Sequence, residues 1–126
     1  MAEQQYLLDL KMTAPPLNAN HRPHWAVRAR AVREVRRTAK IMARKEQLPK
    51  GCTRVRVRLI YRPRDRRRRD PGNIAPTQKA ALDGLVDYGL VPDDCPPYVQ
   101  EYMPEILASE KGQPGQVWLQ VEVLES

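Results

Sequence analysis

A stretch of carboxylates and arginines near the middle of the chain has the residue types that phosphate-ester chemistry needs. Four consecutive arginines, Arg66 to Arg69, lead directly into Asp70, and a second acidic point, Asp93-Asp94, follows later. Guanidinium groups present planar donor forks that suit phosphate oxygens. Adjacent carboxylates repel each other unless a divalent cation joins them, and their hard oxygens suit Mg²⁺. Each feature alone is typical of a solvated face or a turn, but together they predict a metal-dependent enzyme of nucleic acids.

A helix is predicted between the two acidic points. Pro76 suits the first helical turn, which needs no N–H donor, and Gly89 is placed as a left-handed C-terminal cap. Lys79, Asp83 and Asp87 recur at every fourth position, so they form a charged ridge opposite an apolar arc. The ridge puts one lysine and two carboxylates on the same side of the helix.

This stretch resembles the RusA family of Holliday junction resolvases. The resemblance is carried by DRRRRD at 65–70, by Asn73 three residues later, by the K-x-x-x-D helix that starts at Lys79, and by the closing L-x-x-D-D at 90–94. It reaches back to PPLNAN in the N-terminal part and forward to the last strand, so it covers most of the chain. The chain departs from the family at Gly72, where the family has a second aspartate, and in about three extra residues before the lysine.

The resemblance implies a small dimeric endonuclease that cuts four-way DNA junctions symmetrically with Mg²⁺, or with Mn²⁺ in its place. On the matching positions, Asp70 and Asp94 are implied to be catalytic metal ligands and Lys79 a functional lysine. Asp93 is a less central ligand candidate. Asp83 is expected either to hold Lys79 in an i, i+4 ion pair or to reach the metal in place of the missing carboxylate. Because one family ligand is missing, a junction-binding protein that does not cleave stays an alternative. A basic adaptor of RNA or protein partners is a third hypothesis.

The predicted DNA contacts lie in the arginine run and in an N-terminal loop. Three prolines exclude regular structure between Ala14 and Pro23, and the amide and guanidinium groups of this loop suit phosphate or sugar oxygens. A plain connecting loop is the alternative interpretation. The residues expected to contact DNA are Arg66, Arg67, Arg68, Arg69, Asn73, Asn18, Asn20 and Arg22.

The charge of the chain changes sign at Asp70. Residues 1–69 carry 20 Lys/Arg and 5 Asp/Glu, whereas residues 70–126 carry 2 and 10, and the net charge is +7. This division favours a basic DNA-gripping surface beside an acidic metal site, because phosphate neutralisation supplies most non-specific DNA affinity. We expect no membrane partner and no small-molecule cofactor. The N-terminus lacks the pattern of a signal peptide, so a cytoplasmic protein is expected, of a bacterium or encoded by a phage.

Hydrophobic periodicity predicts one α+β domain over residues 1–126, with a mixed β-sheet covered by two main helices in two layers. The last strand is expected to close the sheet as a hairpin. Arginines on the second strand alternate with apolar residues and need phosphates, acidic partners or open solvent. The two cysteines lack the spacing of a zinc site and are expected to stay reduced. The predicted elements are strands at 4–12, 54–62, 98–107 (interrupted at Pro104) and 117–123, and helices at about 25–47 and 79–88.

Overall fold

The elements follow one another as strand, helix, strand, helix and three strands. The computed structural model describes residues 4–21 and 23–126. The elements are β1 (Gln4–Asp9), α1 (Trp25–Lys45), β2 (Arg54–Arg62), a 3-10 turn (Pro71–Ile74), α2 (Ala75–Tyr88), β3 (Val99–Glu101), β4 (Glu105–Ile106) and β5 (Gln116–Glu125). The predicted α+β class, with a mixed sheet and two main helices, is confirmed.

The last strand lies in the middle of the sheet and not in a hairpin. β5 is antiparallel to β1 on one side and to β2 on the other, while β3 and β4 pair with β2 in parallel. The hairpin prediction was therefore wrong. A central position suits β5 because its inward residues Val117, Leu119, Val121 and Val123 are fully buried, which a strand at the sheet edge achieves less readily. The break of the preceding strand into β3 and β4 around Pro104 is confirmed.

The arginines of β2 are neutralised by acidic side chains from the later part of the chain. The apolar residues of β2 are buried towards the helices, and the arginines lie on the opposite face. There Arg56 pairs with Glu122 at 3.3 Å and Arg58 with Glu105 at 3.8 Å. The sequence predicted that these arginines need phosphates, acidic partners or open solvent, and the structure has acidic partners for them. The basic strand is therefore not an open polyanion-binding surface.

Two elements end earlier than their hydrophobic periodicity suggests. β1 stops at Asp9, three residues before the predicted end, because Lys11 has a φ of 58° and turns the chain. α1 stops at Lys45, and Gln47 has a φ of 55°. A left-handed conformation interrupts either regular structure. The predicted cap of α2 is confirmed, since Gly89 has a φ of 101°.

The two helices cross at close range around Gly84. A β-carbon at this position would lie 2.2 Å from the carbonyl oxygen of Arg36 and 2.9 Å from the β-carbon of Ala39. Arg36 in α1 also donates two hydrogen bonds to the carboxylate of Asp87 in α2. This hydrogen bonding from Arg36 lowers the pKa of Asp87 below its usual value. Backbone contact and an ion pair thus fix the position of α2 against α1.

Gln78 supplies side-chain hydrogen bonds to the sheet at the point where the edge strand is interrupted. Its side-chain oxygen accepts a hydrogen bond from the Leu59 N–H at 2.8 Å, and its side-chain nitrogen donates to the Tyr102 carbonyl at 2.8 Å. β2 pairs with β3 before this point and with β4 after it. The buried amide of Gln78 therefore replaces the missing rung of the ladder and attaches α2 to the sheet.

Replacement of Gln78 by leucine is expected to lower the free energy of unfolding by about 3 kcal/mol, because it leaves the buried Leu59 N–H and the partly buried Tyr102 carbonyl without partners. Urea unfolding followed by circular dichroism measures the change. Gln100→Leu, on the exposed surface of β3, is the matched control and should shift the midpoint little. Equal stability of the two variants would contradict the bridging role.

Candidate functional site

Asp70 caps the short turn that leads into α2. Its Oδ1 accepts a hydrogen bond from the Gly72 N–H at 2.9 Å, and its main-chain carbonyl accepts one from the Asn73 N–H at 3.0 Å. Aspartate followed by proline and glycine favours this arrangement, because the carboxylate can accept hydrogen bonds from nearby backbone N–H groups. One carboxylate oxygen is used to hold the turn. The second oxygen, Oδ2, has no hydrogen bond within the described residues and can bind a ligand.

The N-terminal loop is fastened to the same turn. The hydroxyl of Thr77 donates to the Leu17 carbonyl at 2.9 Å and accepts from the Leu17 N–H at 3.1 Å. Two residues later in the loop, the Ala19 N–H donates to the carbonyl of Asn73, which belongs to the turn, at 2.8 Å. Thr77 is completely buried, so these hydrogen bonds are shielded from water. The loop is therefore held beside Asp70 mainly by its own backbone, which leaves the side-chain nitrogen of Asn18 available to the site, while its side-chain oxygen accepts from the Asn20 N–H.

A polar cavity of about 560 Å³ opens where the loop, the end of β2 and the turn meet. It brings together five of the residues predicted from the sequence, which are Asn18, Arg68, Arg69, Asp70 and Asn73. The other lining residues are Ala14, Pro15, Tyr61, Pro71 and Ile74. Sequence reasoning assigned Tyr61 only to the apolar face of its strand. Its position next to the arginine run, at the end of that strand, was the available signal of a role in the site.

Asp65 forms ion pairs with three neighbouring arginines. Arg69 approaches it at 2.6 Å, Arg67 at 3.3 Å and Arg64 at 3.8 Å. The hydrogen bond from Arg69 in particular lowers the pKa of Asp65 below its usual value. Within the described residues, Arg66 and Arg68 have no carboxylate partner. The run is thus divided into arginines held by the protein and arginines open to an external anion.

This division predicts which arginines carry DNA affinity. The double variant Arg66→Ala/Arg68→Ala should weaken DNA binding and reduce the slope of log K against log salt concentration by about 2, because each lost phosphate contact removes about 0.9 of slope. Fluorescence anisotropy with a labelled duplex over a salt series measures the slope.

The double variant Arg54→Ala/Arg58→Ala removes the same charge from arginines that already pair with Glu125 and Glu105. It should leave the salt slope close to that of the native protein. Equal changes of the salt slope in the two double variants would mean that Arg66 and Arg68 are ordinary solvated charges and do not contact phosphates.

Lys79 joins the two acidic points that flank α2. Its ammonium group donates to Asp83 Oδ1 at 2.6 Å and also to Asp94 Oδ2. Asp93 accepts from the Asp94 N–H at 2.8 Å and so shapes the loop that carries Asp94. The predicted i, i+4 pair of Lys79 and Asp83 is confirmed. The structure therefore brings three of the predicted site residues into contact and places the fourth, Asp93, next to them in the chain.

The ammonium and the carboxylates of this cluster stabilise each other's charged forms. Partial burial by itself disfavours the charge of Lys79, but hydrogen bonds to Asp83 and Asp94 outweigh it, so the pKa of Lys79 is raised. The hydrogen bond from Lys79 lowers the pKa of Asp94. The cluster joins one ammonium group to two carboxyl groups, with the carboxyl group of Asp93 next to them in the chain. Lys79 thus partly neutralises the carboxylates that the sequence suggested as metal ligands.

The oxygen donors of the cavity fit Mg²⁺ chemically. Mg²⁺ usually takes one or two protein carboxylates and completes its shell with waters and substrate phosphates. Asp70 Oδ2 would supply one such carboxylate ligand, and phosphate oxygens would be held by the arginines that line the same cavity. In the described ranges, no three His, Cys, Asp or Glu side chains form a cluster that could hold a metal ion. Asp70 as one ligand therefore fits, and the larger set with Asp83, Asp93 and Asp94 stays a prediction.

Some predicted contact residues lie away from the cavity. Asn20 is exposed in the loop and donates its N–H to Asn18 Oδ1 at 2.8 Å. Arg66 and Arg67 line a neighbouring hollow beside the chain segment after β4. Arg22 lies outside the described residues. The cavity therefore unites the core of the predicted set, while these residues stay candidates for contacts further along a bound strand.

No protein-family model matches this chain, and no curated protein matches it. The membership of the RusA family stays a prediction that rests on the motifs. Among the described residues, no helix combines the length and the apolar character that a membrane span needs.

Gly72 offers a direct test of the metal-binding prediction. Its φ is outside the left-handed region, and a β-carbon there would meet only Asp70 Oδ1, at an ordinary 3.5 Å. Gly72→Asp should therefore fold normally and add a carboxylate beside Asp70. We expect about tenfold tighter Mg²⁺ binding and faster junction cleavage, because a divalent cation relieves the repulsion between the two carboxylates.

Isothermal titration with Mg²⁺ and a junction-cleavage assay measure these two effects. Gly72→Asn has a similar size without the charge and should behave like the native protein. Equal Mg²⁺ dependence and equal cleavage rates in Gly72→Asp and the native protein would mean that the site is either complete without that carboxylate or not a nuclease site, and cleavage by the native protein decides between the two.

Proposed function

We propose that the protein is a Mg²⁺-dependent endonuclease that cuts branched DNA, with four-way junctions as its preferred substrate. The observation that carries this proposal is the cavity in which Asp70 faces Arg68 and the amides of Asn18 and Asn73. A carboxylate that is able to bind a metal, placed beside several donors for phosphate oxygens, suits metal-assisted phosphodiester hydrolysis. The RusA-like motifs support the same reaction and suggest the junction as its substrate.

The proposed roles follow from the contacts of each residue. Arg68 is exposed, has no carboxylate partner in the described ranges and is suited to bind a phosphate oxygen of the strand. Asn18 and Asn73 are suited to hold the sugar-phosphate backbone in register, because amides can both donate and accept hydrogen bonds. Arg69 is held by Asp65 and stiffens the wall of the cavity. These residues would position the phosphate before the reaction.

Asp70 is the proposed metal ligand, and the metal, when bound, would activate the attacking water and stabilise the charge that develops on phosphorus. Lys79 is proposed to bind the phosphate backbone, with Asp83 and Asp94 keeping its ammonium charged and oriented. Because Asp94 is then shared between the lysine and the metal, we assign Asp70 the larger part in metal binding.

Symmetric cleavage of a four-way junction requires two sites related by a two-fold axis, so the active form is proposed to be a homodimer. Light scattering should give twice the chain mass of 14.5 kDa. A monomer at micromolar concentration in the presence of junction DNA would contradict paired cleavage.

The decisive experiment compares a fluorescently labelled four-way junction with a linear duplex of the same sequence, each incubated with Mg²⁺ or with EDTA. We expect paired nicks in the junction only when Mg²⁺ is present. Absence of cleavage together with tight junction binding would reject the nuclease proposal and favour the second candidate.

That second candidate is a junction-binding protein that does not cleave. The specific observation in its favour is the acidic cluster, where Lys79 already occupies the space between Asp83 and Asp94, together with glycine at position 72. Binding to duplex and junction with equal affinity would exclude this candidate as well. A general adaptor of RNA or protein partners would then be the remaining hypothesis.

A further inference from the structure

Tyr61 is one of the residues that line the cavity of Asp70. It lies near the end of β2 on the side that faces the helices, and only 6% of its surface is exposed. The guanidinium of Arg69 lies 5.7 Å from the centre of its ring. The ring is therefore fixed by packing, and the orientation of the hydroxyl is fixed with it.

The hydroxyl of Tyr61 has no hydrogen-bond partner within the part of the chain that the structure describes. Nor is it sealed in the core, because the only buried side-chain polar atoms without partners in that part are the Nε atoms of Arg58 and Arg62. The open space that Tyr61 lines is the cavity. Because this hydroxyl has no protein partner among the described residues and is not sealed in the core, it is free to bond to water or to a ligand that enters the cavity.

The other groups in the cavity indicate the chemistry of that partner. Two nitrogens of Arg69 are used on Asp65 and on main-chain carbonyls. Among the described residues, the donors left to a ligand are the guanidinium of Arg68, the unused N–H groups of Arg69, the amide nitrogens of Asn18 and Asn73, and the hydroxyl of Tyr61. Among the described residues that line the cavity, Asp70 is the one carboxylate. A ligand surrounded by several donors and approached by one metal-binding carboxylate is an oxyanion.

We propose that this cavity is the subsite for the reacting phosphate of the DNA strand, and that Tyr61 donates a hydrogen bond from its hydroxyl to a non-bridging oxygen of that phosphate. Tyr61 would then be a further catalytic residue, adding a neutral donor where negative charge accumulates during hydrolysis. The inference rests on the proposed nuclease function, since the phosphate is that of the strand on which Asp70 acts. Sequence alone hides this role, because Tyr61 follows the apolar alternation of a buried strand.

Tyr61→Phe tests the proposal, because it removes one oxygen atom and keeps the buried ring and its contact with Arg69. We expect cleavage of the labelled junction to slow by about 10- to 100-fold, since a hydrogen bond to a charged group is lost. The thermal unfolding midpoint should not fall, because the hydroxyl has no partner in the described protein. Tyr6→Phe is the matched control, as its hydroxyl donates to Gln4 at 2.9 Å on the edge strand β1, and it should cleave at the native rate.

A second measurement tests the contact without cleavage. A junction with a methylphosphonate at the scissile position lacks one anionic oxygen, and its binding in EDTA is compared with that of the normal junction. The methylphosphonate should weaken binding to the native protein more than binding to Tyr61→Phe, because the hydroxyl and the oxygen are coupled. Equal penalties in the two proteins would overturn the proposal, as would native cleavage rates in Tyr61→Phe. Absence of cleavage by the native protein would instead reject the nuclease function, and the binding comparison would still decide the role of Tyr61.

Discussion

Replacing Asp70 by asparagine should lower the rate of junction cleavage by about 100- to 1,000-fold, while junction affinity is unchanged or improved. Loss of a metal ligand removes several kcal/mol of transition-state stabilisation, and each 1.36 kcal/mol is a factor of ten. The fold should persist, because the side-chain oxygen of asparagine can still accept the hydrogen bond from the Gly72 N–H. Affinity should not fall, because the change removes a negative charge and no phosphate donor.

Single-turnover cleavage in Mg²⁺ and anisotropy titrations in EDTA separate the two effects. Asp9→Asn makes the same chemical change at the end of β1, where the carboxylate accepts from the Lys11 N–H, and should leave cleavage unchanged. Asp94→Asn should also slow cleavage, but this change also removes the carboxylate that pairs with Lys79. Full cleavage by Asp70→Asn would remove the assignment of the cavity as the active site.

Replacing Gly84 by alanine should destabilise the protein by about 3 kcal/mol or more. In an exposed helix this change stabilises by about 1 kcal/mol, because glycine is the poorer helix former. Here the new methyl group would lie 2.2 Å from the carbonyl oxygen of Arg36, and a backbone atom cannot swing aside as a flexible side chain can. The helices would have to separate, which opens the contacts between α1 and α2, and overpacking of this kind costs about 1–3 kcal/mol or more.

Urea unfolding measures this loss. Gly72→Ala is the matched control for stability, since its new methyl group meets only Asp70 Oδ1 at 3.5 Å. Its midpoint should stay close to that of the native protein. A Gly84→Ala variant as stable as the native protein would mean that the helix crossing is looser than the structure indicates.

The distribution of charge gives the candidate site its character. Much of the basic first half is paired with the acidic second half, as in Arg36 with Asp87 and Arg56 with Glu122. Within the described residues, the cations without a carboxylate partner include Arg66 and Arg68, which precede Asp70 in the chain. Net charge alone therefore overstates the area of the DNA-binding surface, and we expect binding to concentrate around the cavity.

The sequence by itself determined the class of the fold and most of its elements. Alternation gave the bounds of β2 correctly, and Gly89 marked the end of α2, because these signals depend on local backbone preferences and on which side of an element is buried. The i, i+4 spacing of Lys79 and Asp83 was also sufficient to predict their contact, since helix geometry fixes that distance.

Only the tertiary structure decided which distant residues meet. The place of β5 between β1 and β2 could not be predicted, because alternation gives the inner face of a strand and not its neighbours. In the sequence, Gln78 is an ordinary helical residue. In the structure, its amide fills the gap in the strand ladder between β3 and β4. Likewise, Asn18 joins Asp70 only because Thr77 and Asn73 hold the N-terminal loop against the turn, and Tyr61 lines the same cavity from the end of β2. Contacts of this kind depend on long-range packing, which no local pattern in the chain encodes.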